Sequence, residues 1–461
     1  MNVTTAKPGL DITLDLFGQR LVPVFTQISF CFPTPDDVKV EDISDVLTRG
    51  AEHLADHFPW VAGQVVCEGA TESNTGCFKI KSLENKPRVW VKNLRDDPSF
   101  PSWDALQKSN FPMNALDENI VAPRKTIDEL SESTPAEVFQ LQATIIKGGL
   151  ILTFLGHHQA MDGTGQAQVI SLFSKACGNE AFTQDELRTG NLAPENVVRT
   201  LGGSWAPDSE LEYNIIKQKI SQPGPGRVQD PVEMKVGAWS YFNFSASTLR
   251  ELKSHATQTL PRSSSYITTD DALTAFIWQS IAKVRLPHYG STTEALFARA
   301  VDLRRYLDIS ETHPGFVQSM TYHSLGMEKV AQSPLGAIAA DFRAAVNPKT
   351  SNLAYHGRSL ATLISRTRDK SVISFLAGCD LSRDVMLSSW ANQNSYQLDF
   401  GLGLGRPHAV RRPQFDSLPG LVYFMPKSRV GDIGVAICLS ANETEMLRAN
   451  DEFLKHAAYI G

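Results

Sequence analysis

The sequence has little cysteine, and what it has is not arranged to bind zinc or to form a disulfide framework. Among 461 residues no C-x-x-C pair occurs. In so long a chain we expect scattered cysteines to be reduced and mostly buried. Motifs typical of zinc proteases, phosphate-binding loops and serine nucleophiles are also missing. We therefore expect no metal ion and no permanently bound cofactor. The cysteines are Cys31, Cys67, Cys77, Cys177, Cys379 and Cys438.

The chain also lacks an excess of positive charge and a long hydrophobic run. Its net charge of −6 argues against nucleic acid as a partner. The longest apolar run, residues 145–155, is interrupted by Lys147 and two glycines and is shorter than the ~20 residues of a membrane helix. The first twenty residues do not resemble a signal or transit peptide. These absences predict a cytoplasmic protein with no membrane partner, and we expect a monomer.

The length and the local composition predict two domains. A single core rarely exceeds about 250–300 residues, and a stretch rich in glycine, proline and charge, "QPGPGRVQDP", lies near the middle of the chain. We place an N-terminal domain at residues 1–205, a crossover linker at 206–235 and a C-terminal domain at 236–461. Because strands and helices are interspersed in both halves, the predicted fold class is α/β (α+β-like).

Hydrophobic periodicity predicts individual elements in both halves. A hairpin is expected where two β-rich runs meet at Lys147-Gly148-Gly149. A helix is expected to begin at Thr268 or Thr269, either of which is a suitable N-cap. The other expected elements are a strand over 24–32, a helix over 41–58, a strand around 61–69, a helix over 165–177, a strand over 238–244, a hairpin over 420–440 and a final helix over 443–460.

The most unusual stretch is "LGHHQAMDGTGQ", residues 155–166, in which an apolar strand ends at an ionisable pair. His158 and Asp162 are four residues apart, and Gly163 and Gly165 permit a sharp turn into a helix. Two interpretations follow from the residues alone. Asp162 orients the imidazole, as a carboxylate does in a catalytic triad, or it binds an arginine elsewhere and fixes the loop while His158 acts alone.

Three other patterns suggest chemistry less strongly. His157 is expected to point away from the site, because side chains alternate along a strand. His53 and His57 have the spacing of metal ligands on a helix but lack an obvious third ligand, so we expect a solvated helix edge. The segment 401–405, "GLGLG", has the wrong glycine spacing for a dinucleotide-binding turn, and prolines follow it instead of a helix.

A second signature identifies a family. "DFGLG" at residues 399–403 lies far downstream of "HHQAMDG", and H-x-x-x-D-G followed by D-F-G-x-G resembles the BAHD superfamily of CoA-dependent acyltransferases. The segments "PWVAGQVV", "IIKGGLILT", "RAVDLR" and "SSW" match further landmarks in the same order. The stretches "DENIVAPRKT", "DFGLGLG" and "YFMPK" are similar to the fungal branch typified by trichothecene 3-O-acetyltransferases. Leu402 stands where plant members usually have tryptophan.

The resemblance implies an architecture and a reaction. It predicts two chloramphenicol-acetyltransferase-like domains of mixed sheet plus helices, with a channel between them. His158 would act as general base, taking the proton of an alcohol that attacks the thioester of acetyl-CoA. No covalent acyl-enzyme is then required. Acetyl-CoA is the expected co-substrate, and a hydroxylated secondary metabolite, with a trichothecene-like terpenoid alcohol favoured, is the expected acceptor.

The resemblance also assigns roles to other residues. Asp162 is expected to pair with Arg304 of "AVDLR" and to support the site together with Gly163. Asp399 and Gly401 are expected to hold a loop near the CoA channel. The residues expected to line the channel or to polarise the thioester are Ser388, Trp390 and Tyr423. The residues expected to contact the CoA phosphates are Arg411, Arg412, Lys427 and Arg429.

Alternatives stay open at this point. One group of alternatives concerns the acceptor, which would be an alkaloid, polyketide or phenolic alcohol, or an amine. Another concerns the donor, whose thioester would be on a carrier protein instead of CoA. Core packing explains Trp390 as well as a channel role does. A different class altogether is a catalytically inactive, condensation-domain-like binding module. Retention of His158, Asp162 and Asp399 argues against such a module, because an inactive protein has no chemical reason to keep all three.

Overall fold

The computed structural model describes residues 9–20, 24–83, 89–128, 135–192, 197–216 and 237–461. The crossover linker predicted over 206–235 lies for the most part outside these residues. Its first part, up to residue 216, is described and contains one short 3₁₀ helix, Ser209–Leu211. The division into domains at 205 and 236 therefore stays a prediction, and the sheets are described as the structure has them.

Twelve strands and helices occupy the described residues before the linker. In chain order they are β1 (Asp11–Thr13), β2 (Phe25–Pro33), α1 (Val40–His57), β3 (Gln64–Glu68), β4 (Cys77–Lys81), β5 (Val89–Asn93), α2 (Trp103–Lys108), α3 (Glu118–Val121), β6 (Phe139–Ile146), β7 (Gly149–His157), α4 (Gly163–Cys177) and α5 (Gln184–Gly190).

The described residues after the linker contain fifteen more. They are β8 (Gly237–Phe244), α6 (Ala246–Gln258), α7 (Thr269–Tyr289), β9 (Glu294–Asp302), β10 (Gln318–Gly326), α8 (Met327–Gln332), α9 (Leu335–Ala345), α10 (Leu353–Arg366), β11 (Val385–Ser389), β12 (Ala409–Arg411), β13 (Leu421–Phe424), β14 (Ile433–Ser440), α11 (Ala441–Arg448), α12 (Asp451–Leu454) and β15 (Ala458–Tyr459). Further short 3₁₀ helices are Leu16–Gln19, Pro59–Ala62, Met113–Ala115, Arg304–Tyr306, Lys370–Val372 and Ser395–Gln397.

The first large sheet has the strand order β12-β2-β7-β6-β5. The β6–β7 hairpin forms where it was predicted, and Gly148 adopts a positive φ of 73° in its turn. All nine residues of β7 are buried, because other strands flank it and helices and the second half of the chain cover its faces. β7 therefore delivers the residues that follow it to the inside of the molecule.

The second large sheet is mixed, with the order β10-β9-β11-β13-β14-β8-β15. β11 runs parallel to both β9 and β13, and the remaining pairs are antiparallel. Helix α7 begins with the predicted cap at Thr268, whose side chain and that of Asp271 form a capping box. β11 and β13 end beside each other, so Ser388 lies opposite Tyr423.

Strand β12 attaches the second half of the chain to the first sheet. This short strand comes late in the sequence but pairs antiparallel with β2 of the first sheet. Phe400, which precedes it, packs into the core of the first half with Phe30 and Phe154. A third, small sheet has the order β1-β4-β3. The second half of the chain thus completes the first sheet as well as forming its own.

The structure corrects two expectations. The helix predicted over 443–460 breaks at Asn450, whose side chain caps the new helix α12, and the chain then ends in strand β15. Asparagine competes for backbone hydrogen bonds inside a helix and favours caps, which explains the break. The cysteines are all free, but only Cys31 and Cys438 are buried, and Cys67 is exposed.

Across the described ranges, every helix is either too short or too polar to cross a lipid bilayer.

Candidate active site

His158 is the first residue after β7, and its environment fixes one ring nitrogen. The backbone N–H of His158 donates to the carbonyl of Val24 (2.9 Å). Its ring Nδ1 lies 3.1 Å from the carbonyl oxygen of Met161. A carbonyl oxygen only accepts, so Nδ1 carries the hydrogen and the lone pair is on Nε2. This tautomer is the one that can accept a proton from a substrate at Nε2.

The surroundings of His158 favour its uncharged form. The ring contacts the ring of Phe316 at 5.1 Å and is only partly exposed. Burial lowers the pKa of His158, and the positive charges of Arg20 and Arg412 lower it further, against the opposing effects of the Met161 carbonyl and Asp162. The imidazole is therefore neutral at and somewhat below neutral pH, as a general base must be.

Asp162 is buried and has both carboxylate oxygens occupied. One oxygen accepts from the backbone N–H of Gly165 at 2.8 Å, which caps helix α4. The other accepts from the backbone N–H of Val317 at 2.7 Å. Arg304 donates to both oxygens, at 3.1 and 3.0 Å. The carboxylate is thus directed toward the second half of the chain, and His158 has its own partner in Met161.

Arg304 is fully buried and holds several segments together. Its Nε donates to the carbonyl of His313 at 2.9 Å, and its amino groups also reach the carbonyl of Gly315 and the carboxylate of Asp302. Burial disfavours its charge, but Asp162 and Asp302 outweigh that effect and raise the pKa of Arg304. The contact with Asp162 expected from the family resemblance is present, and a triad-like contact between Asp162 and His158 is not.

Glycines allow the two halves to approach closely at this loop. A Cβ added at Gly165 would collide with the carbonyl oxygen of Pro314. Gly163 lies against Trp390, because a Cβ added at Gly163 would be 3.4 Å from the indole nitrogen. The carbonyl of Gly163 accepts from Gln393 at 3.0 Å. The beginning of helix α4 therefore packs directly against backbone and side chains of the second half.

The second signature loop has a different construction. Asp399 is exposed, and its carboxylate accepts from the backbone N–H of Gly401 at 3.0 Å. Its carbonyl accepts from Ser174 of helix α4 at 2.7 Å. Gly401 has a φ of 65°, and a Cβ there would lie 2.7 Å from the carbonyl oxygen of Cys177. The loop is thus fixed to α4, and Asp399 stabilises its own turn.

A cavity of about 960 Å³ lies between the halves, next to the His158 loop. Asp162, Gly163 and the first turns of helix α4 form one wall, and Ser388 and Trp390 form part of another. Its volume is at the upper end of the range usual for ligand sites. Both halves of the chain are needed to form it, as the expected channel requires.

Ser388 and Trp390 lie together at the end of β11. The indole N–H of Trp390 donates to the Ser388 hydroxyl at 3.1 Å, and both residues line the cavity. Tyr423 is next to Ser388 in the sheet, and its ring is 5.5 Å from that of Trp390, but it is not among the residues that line this cavity. Trp390 is also 4% exposed, so it both packs the core and faces the cavity.

Arg411 and Arg412, which were expected to contact the CoA phosphates, are not among the residues that line the cavity. Arg411 donates to the backbone carbonyls of Phe111 and Asn110, and Arg412 is 3% exposed. Because β12 pairs with β2, Arg412 is buried and Arg411 is half-buried. Arg429 is exposed but binds the carbonyl of Pro407 at 2.9 Å and does not line the cavity. Lys427 does line it.

Other basic residues line the cavity and were missed from the sequence. They are Lys253, Arg299, Arg305 and Arg343. Arg299 is paired with Asp270 and Asp271, and Arg343 also contacts Asp271. Of these four only Arg299 gave a signal, since it is the first residue of the family landmark "RAVDLR". Lys253 is on the exposed side of an amphipathic helix and resembles any solvated lysine in the sequence.

The other three histidines considered in the sequence analysis have structural positions. His157 is buried, and its ring packs edge-on against that of Phe25 at 5.0 Å. Burial lowers the pKa of His157 to about 3. His53 and His57 pack edge-to-face at the edge of α1, with ring centroids 4.9 Å apart. No cluster of three metal-ligating side chains occurs in the described ranges.

Comparison with known proteins gives matches over nearly the whole chain. The profile of the Transferase family matches residues 112–454, and that of the trichothecene 3-O-acetyltransferase-like N-terminal domain matches residues 24–177. An O-acetyltransferase of Cryptosporiopsis sp. (strain 8999) is 45% identical, over 98% of both chains. Trichothecene 3-O-acetyltransferase TRI101 of Fusarium sporotrichioides is 43% identical, over 99% of both chains.

The fold matches solved structures equally well. The crystal structure of F. graminearum TRI101 complexed with coenzyme A and deoxynivalenol superposes with a TM-score of 0.92 and 41% identity, covering 98% of this chain and 100% of that one. The expected fold class is thereby confirmed.

Proposed function

The chain belongs to the Transferase family, the BAHD acyltransferases, and is an acyl-CoA-dependent O-acetyltransferase; from this premise we propose that it acetylates a hydroxyl of a trichothecene-like terpenoid alcohol. Two findings support this acceptor. A relative with 43% identity is named for acetylation at the trichothecene 3-hydroxyl, and a structural neighbour binds deoxynivalenol together with coenzyme A.

The proposed reaction is a direct transfer. Nε2 of His158 accepts the hydroxyl proton while the alcohol oxygen forms a bond to the carbonyl carbon of acetyl-CoA. The C–S bond then breaks, and the proton passes from Nε2 to the sulfur of CoA. The hydrogen bond from Nδ1 to the Met161 carbonyl keeps Nδ1 protonated throughout, so that only Nε2 takes up and releases the transferred proton. The Asp162–Arg304 pair keeps the loop in place and takes no part in the proton transfer.

The observation that carries this proposal is the position of His158. Its Nδ1 is engaged by Met161, no described residue bonds its Nε2, and the ring is partly exposed. His158 is not itself a lining residue, but Asp162 and Gly163 of the same loop line a cavity to which both halves of the chain contribute. Two substrates meeting in such a site gain the rate advantage of proximity. Because a single chain supplies both walls, we propose a monomeric enzyme, acting in the cytoplasm without nucleic acid or membrane partners.

The proposed CoA site is at the basic part of the cavity. Lys427 and Lys253 line the cavity, and among the described residues neither forms an ion pair. Lysine and arginine are suited to phosphate groups. Trp390 contacts Gly163 of the His158 loop. Its N–H donates to the Ser388 hydroxyl, which leaves the hydroxyl hydrogen of Ser388 to donate to the thioester carbonyl.

The test is an acceptor screen with wild-type enzyme and His158→Ala. A trichothecene-type alcohol, an aromatic polyketide alcohol, an alkaloid alcohol and an amine are each incubated with acetyl-CoA, and the acetylated product is detected by mass spectrometry. We expect acetylation of the trichothecene-type alcohol. Loss of the base should lower kcat by about 10²- to 10⁴-fold, while acetyl-CoA still binds, as measured by calorimetry.

Two results would contradict the proposal. Full activity of His158→Ala would remove the general base, and acetylation of only a polyketide, alkaloid or amine would remove the trichothecene-like acceptor. The other acceptors are included because the Cryptosporiopsis relative is at least as similar and its name specifies no acceptor. An acetylated carrier protein, offered in place of acetyl-CoA, tests the alternative donor.

A further inference from the structure

Strands β9 and β11 run parallel as neighbours but separate where the cavity begins. Their pairing ends at Leu387 of β11 and Arg299 of β9. Beyond it, residues 300–302 of β9 and Ser388 and Ser389 of β11 line the cavity. The crevice at the carboxyl ends of parallel strands is a common place for a ligand. The last residues of β11 lie at such a crevice, and within the described sheet they pair with β13 alone.

A side chain of helix α7 holds the end of β11 on the open side. The Ser389 hydroxyl donates to one carboxylate oxygen of Asp270 at 2.6 Å, and both residues line the cavity. The other oxygen of Asp270 accepts from Arg299 at 2.6 Å. Hydrogen bonds to a charged group are stronger than those between neutral groups. Asp270 therefore joins the end of β11 to Arg299, the last residue of β9 that pairs with β11.

Asp270 is itself held in place by a group of buried and half-buried charges. Arg299 also donates to Asp271 at 2.9 Å. Asp271 is fully buried, forms the capping box with Thr268 and lies 3.1 Å from Nε of Arg343. Burial disfavours the charge of Arg299, but the two carboxylates outweigh that effect and raise its pKa. Two cations and two anions thus balance each other, and the carboxylate of Asp270 has little freedom to move.

The serine held by Asp270 is next to the serine proposed to meet the substrate. The Ser388 hydroxyl accepts from the indole N–H of Trp390 at 3.1 Å. The backbone N–H of Trp390 donates to the carbonyl of Phe424 at 2.8 Å. Since Ser389 lies between Ser388 and Trp390, its hydrogen bond to Asp270 restrains the backbone that carries both groups.

We propose that Ser389 and Asp270 are positioning residues for acetyl transfer, whose hydrogen bond holds the end of β11 so that the Ser388 hydroxyl points at the thioester carbonyl. Neither side chain needs to touch the substrate. Ser388 donates to the carbonyl oxygen as negative charge develops there, and such a donor is most effective when it is fixed before the reaction. This inference rests on the proposed function, in which the thioester carbonyl meets Ser388.

The first test is a double-variant cycle in kcat, measured with acetyl-CoA and the trichothecene-type alcohol of the acceptor screen. Ser388→Ala should lower kcat by about 10²-fold, as loss of one donor to a developing oxyanion does. Ser389→Ala should lower kcat by about 10-fold with little change in the KM for acetyl-CoA, because a misplaced donor weakens the transition state alone. In the double variant kcat should equal that of Ser388→Ala, since Ser389 acts only through Ser388.

Two further variants separate the hydrogen bond from the space that the side chain fills. Ser389→Thr keeps the hydroxyl and should keep most of the wild-type kcat. Asp270→Ala should lose at least as much kcat as Ser389→Ala, and the two together should lose no more than Asp270→Ala alone. If Asp270→Ala does not fold, because Arg299 loses a counter-charge, the Ser389 variants still decide the question, since Asp270 is the acceptor of that hydroxyl.

Ser324→Ala is the matched control. Ser324 also donates its hydroxyl to a carboxylate, that of Glu294, at 3.0 Å. This contact joins β10 to the first residue of β9, and neither residue lines the cavity. We expect the kcat of Ser324→Ala to equal that of the wild type.

A second readout does not depend on an acceptor. Acetyl-CoA labelled with ¹³C at the carbonyl carbon is bound to His158→Ala, which prevents turnover, and the carbonyl stretch is recorded by difference infrared spectroscopy. A hydrogen bond to a carbonyl lowers its stretching frequency, so we expect a band below that of free acetyl-CoA. Adding Ser388→Ala should return the band to the free value, and adding Ser389→Ala should move it part of the way.

Additive losses of kcat in Ser388→Ala/Ser389→Ala, or an equal loss in Ser324→Ala, would overturn the proposal. If Ser388→Ala matches the wild type in kcat and band, the proposed thioester contact is wrong and this inference fails with it. If Ser388→Ala is impaired but Ser389→Ala is not, the thioester contact stands and this inference alone is wrong. If no acceptor is acetylated, the proposed function fails, and the infrared band still decides the role of Ser389.

Discussion

The two signature loops of this enzyme are both built around an aspartate, but they stabilise the site by different means. Asp162 is buried, caps helix α4 and pairs with Arg304, 142 residues away. Asp399 is exposed and bonds within its own turn. In the second loop the long-range contacts do not involve the carboxylate. Phe400 packs against Phe30 and Phe154, Gly401 closely approaches Cys177, and the backbone carbonyl of Asp399 accepts from Ser174.

The comparison shows that the same residue type in two sequence motifs can have two different physical roles. An aspartate that is buried opposite an arginine holds two halves of a chain together through charge, and it cannot be replaced by a neutral side chain without leaving a buried cation. An exposed aspartate in a turn contributes little beyond local hydrogen bonding. Matched substitutions at the two positions test this difference.

The largest effect is expected from Asp162→Asn. The substitution conserves shape but leaves Arg304 buried with only the partly exposed Asp302 as a counter-charge, so we expect a loss of about 3 kcal/mol in the free energy of unfolding. Urea unfolding measures it. An Arg304→Met variant should do similar harm, and the double variant little more than either alone, because both residues belong to one network. Additive losses would contradict the coupling.

An intermediate effect is expected from Gly401→Ala. The positive φ alone costs an alanine about 1–2 kcal/mol, and the new Cβ would also press on the Cys177 carbonyl oxygen, 2.7 Å away. Gly403→Ala is the matched control, since Gly403 has a φ of 71° but no atom within 4 Å of the added Cβ. A lower melting temperature for Gly401→Ala than for Gly403→Ala is the expected result. Equal melting temperatures would show that contact with α4 is unimportant.

The smallest effect is expected from Asp399→Asn. The asparagine oxygen can still accept from the Gly401 N–H, and the side chain is exposed, so unfolding free energy should change by no more than about 0.5 kcal/mol. Acetyl transfer should be nearly unchanged. A loss comparable to that of Asp162→Asn would mean that the charge of Asp399 acts on the site.

Much of the fold could be predicted from the sequence where local pattern and tertiary environment agree. The β6–β7 hairpin, helix α1 and the capped start of α7 follow from periodicity, glycine and cap residues. The prediction of one long final helix was wrong because the apolar pattern continues through Asn450. The break depends on the Asn450 cap and on the pairing of β15 with β8. Neither is visible as periodicity.

The site was predictable only in part, for a similar reason. The position of His158 at a strand end is a local feature, whereas the partner of Asp162 was found only through the family resemblance. Arg411 and Arg412 resemble solvated phosphate-binding residues in the sequence, and only the pairing of β12 with β2 places them inside. The burial of Arg20 could not be predicted either, since the rings that it packs against, Phe316 and Phe375, come much later in the chain.

The pairing of β12 with β2 also affects how the protein is made. β2 leaves the ribosome early, but its outer hydrogen-bonding edge has no partner until Ala409–Arg411 has been synthesised. During most of translation that edge is open, and unpaired edges are the usual sites of wrong association between chains. The nascent first half is therefore a natural client for chaperones, and premature termination before β12 would leave an aggregation-prone fragment.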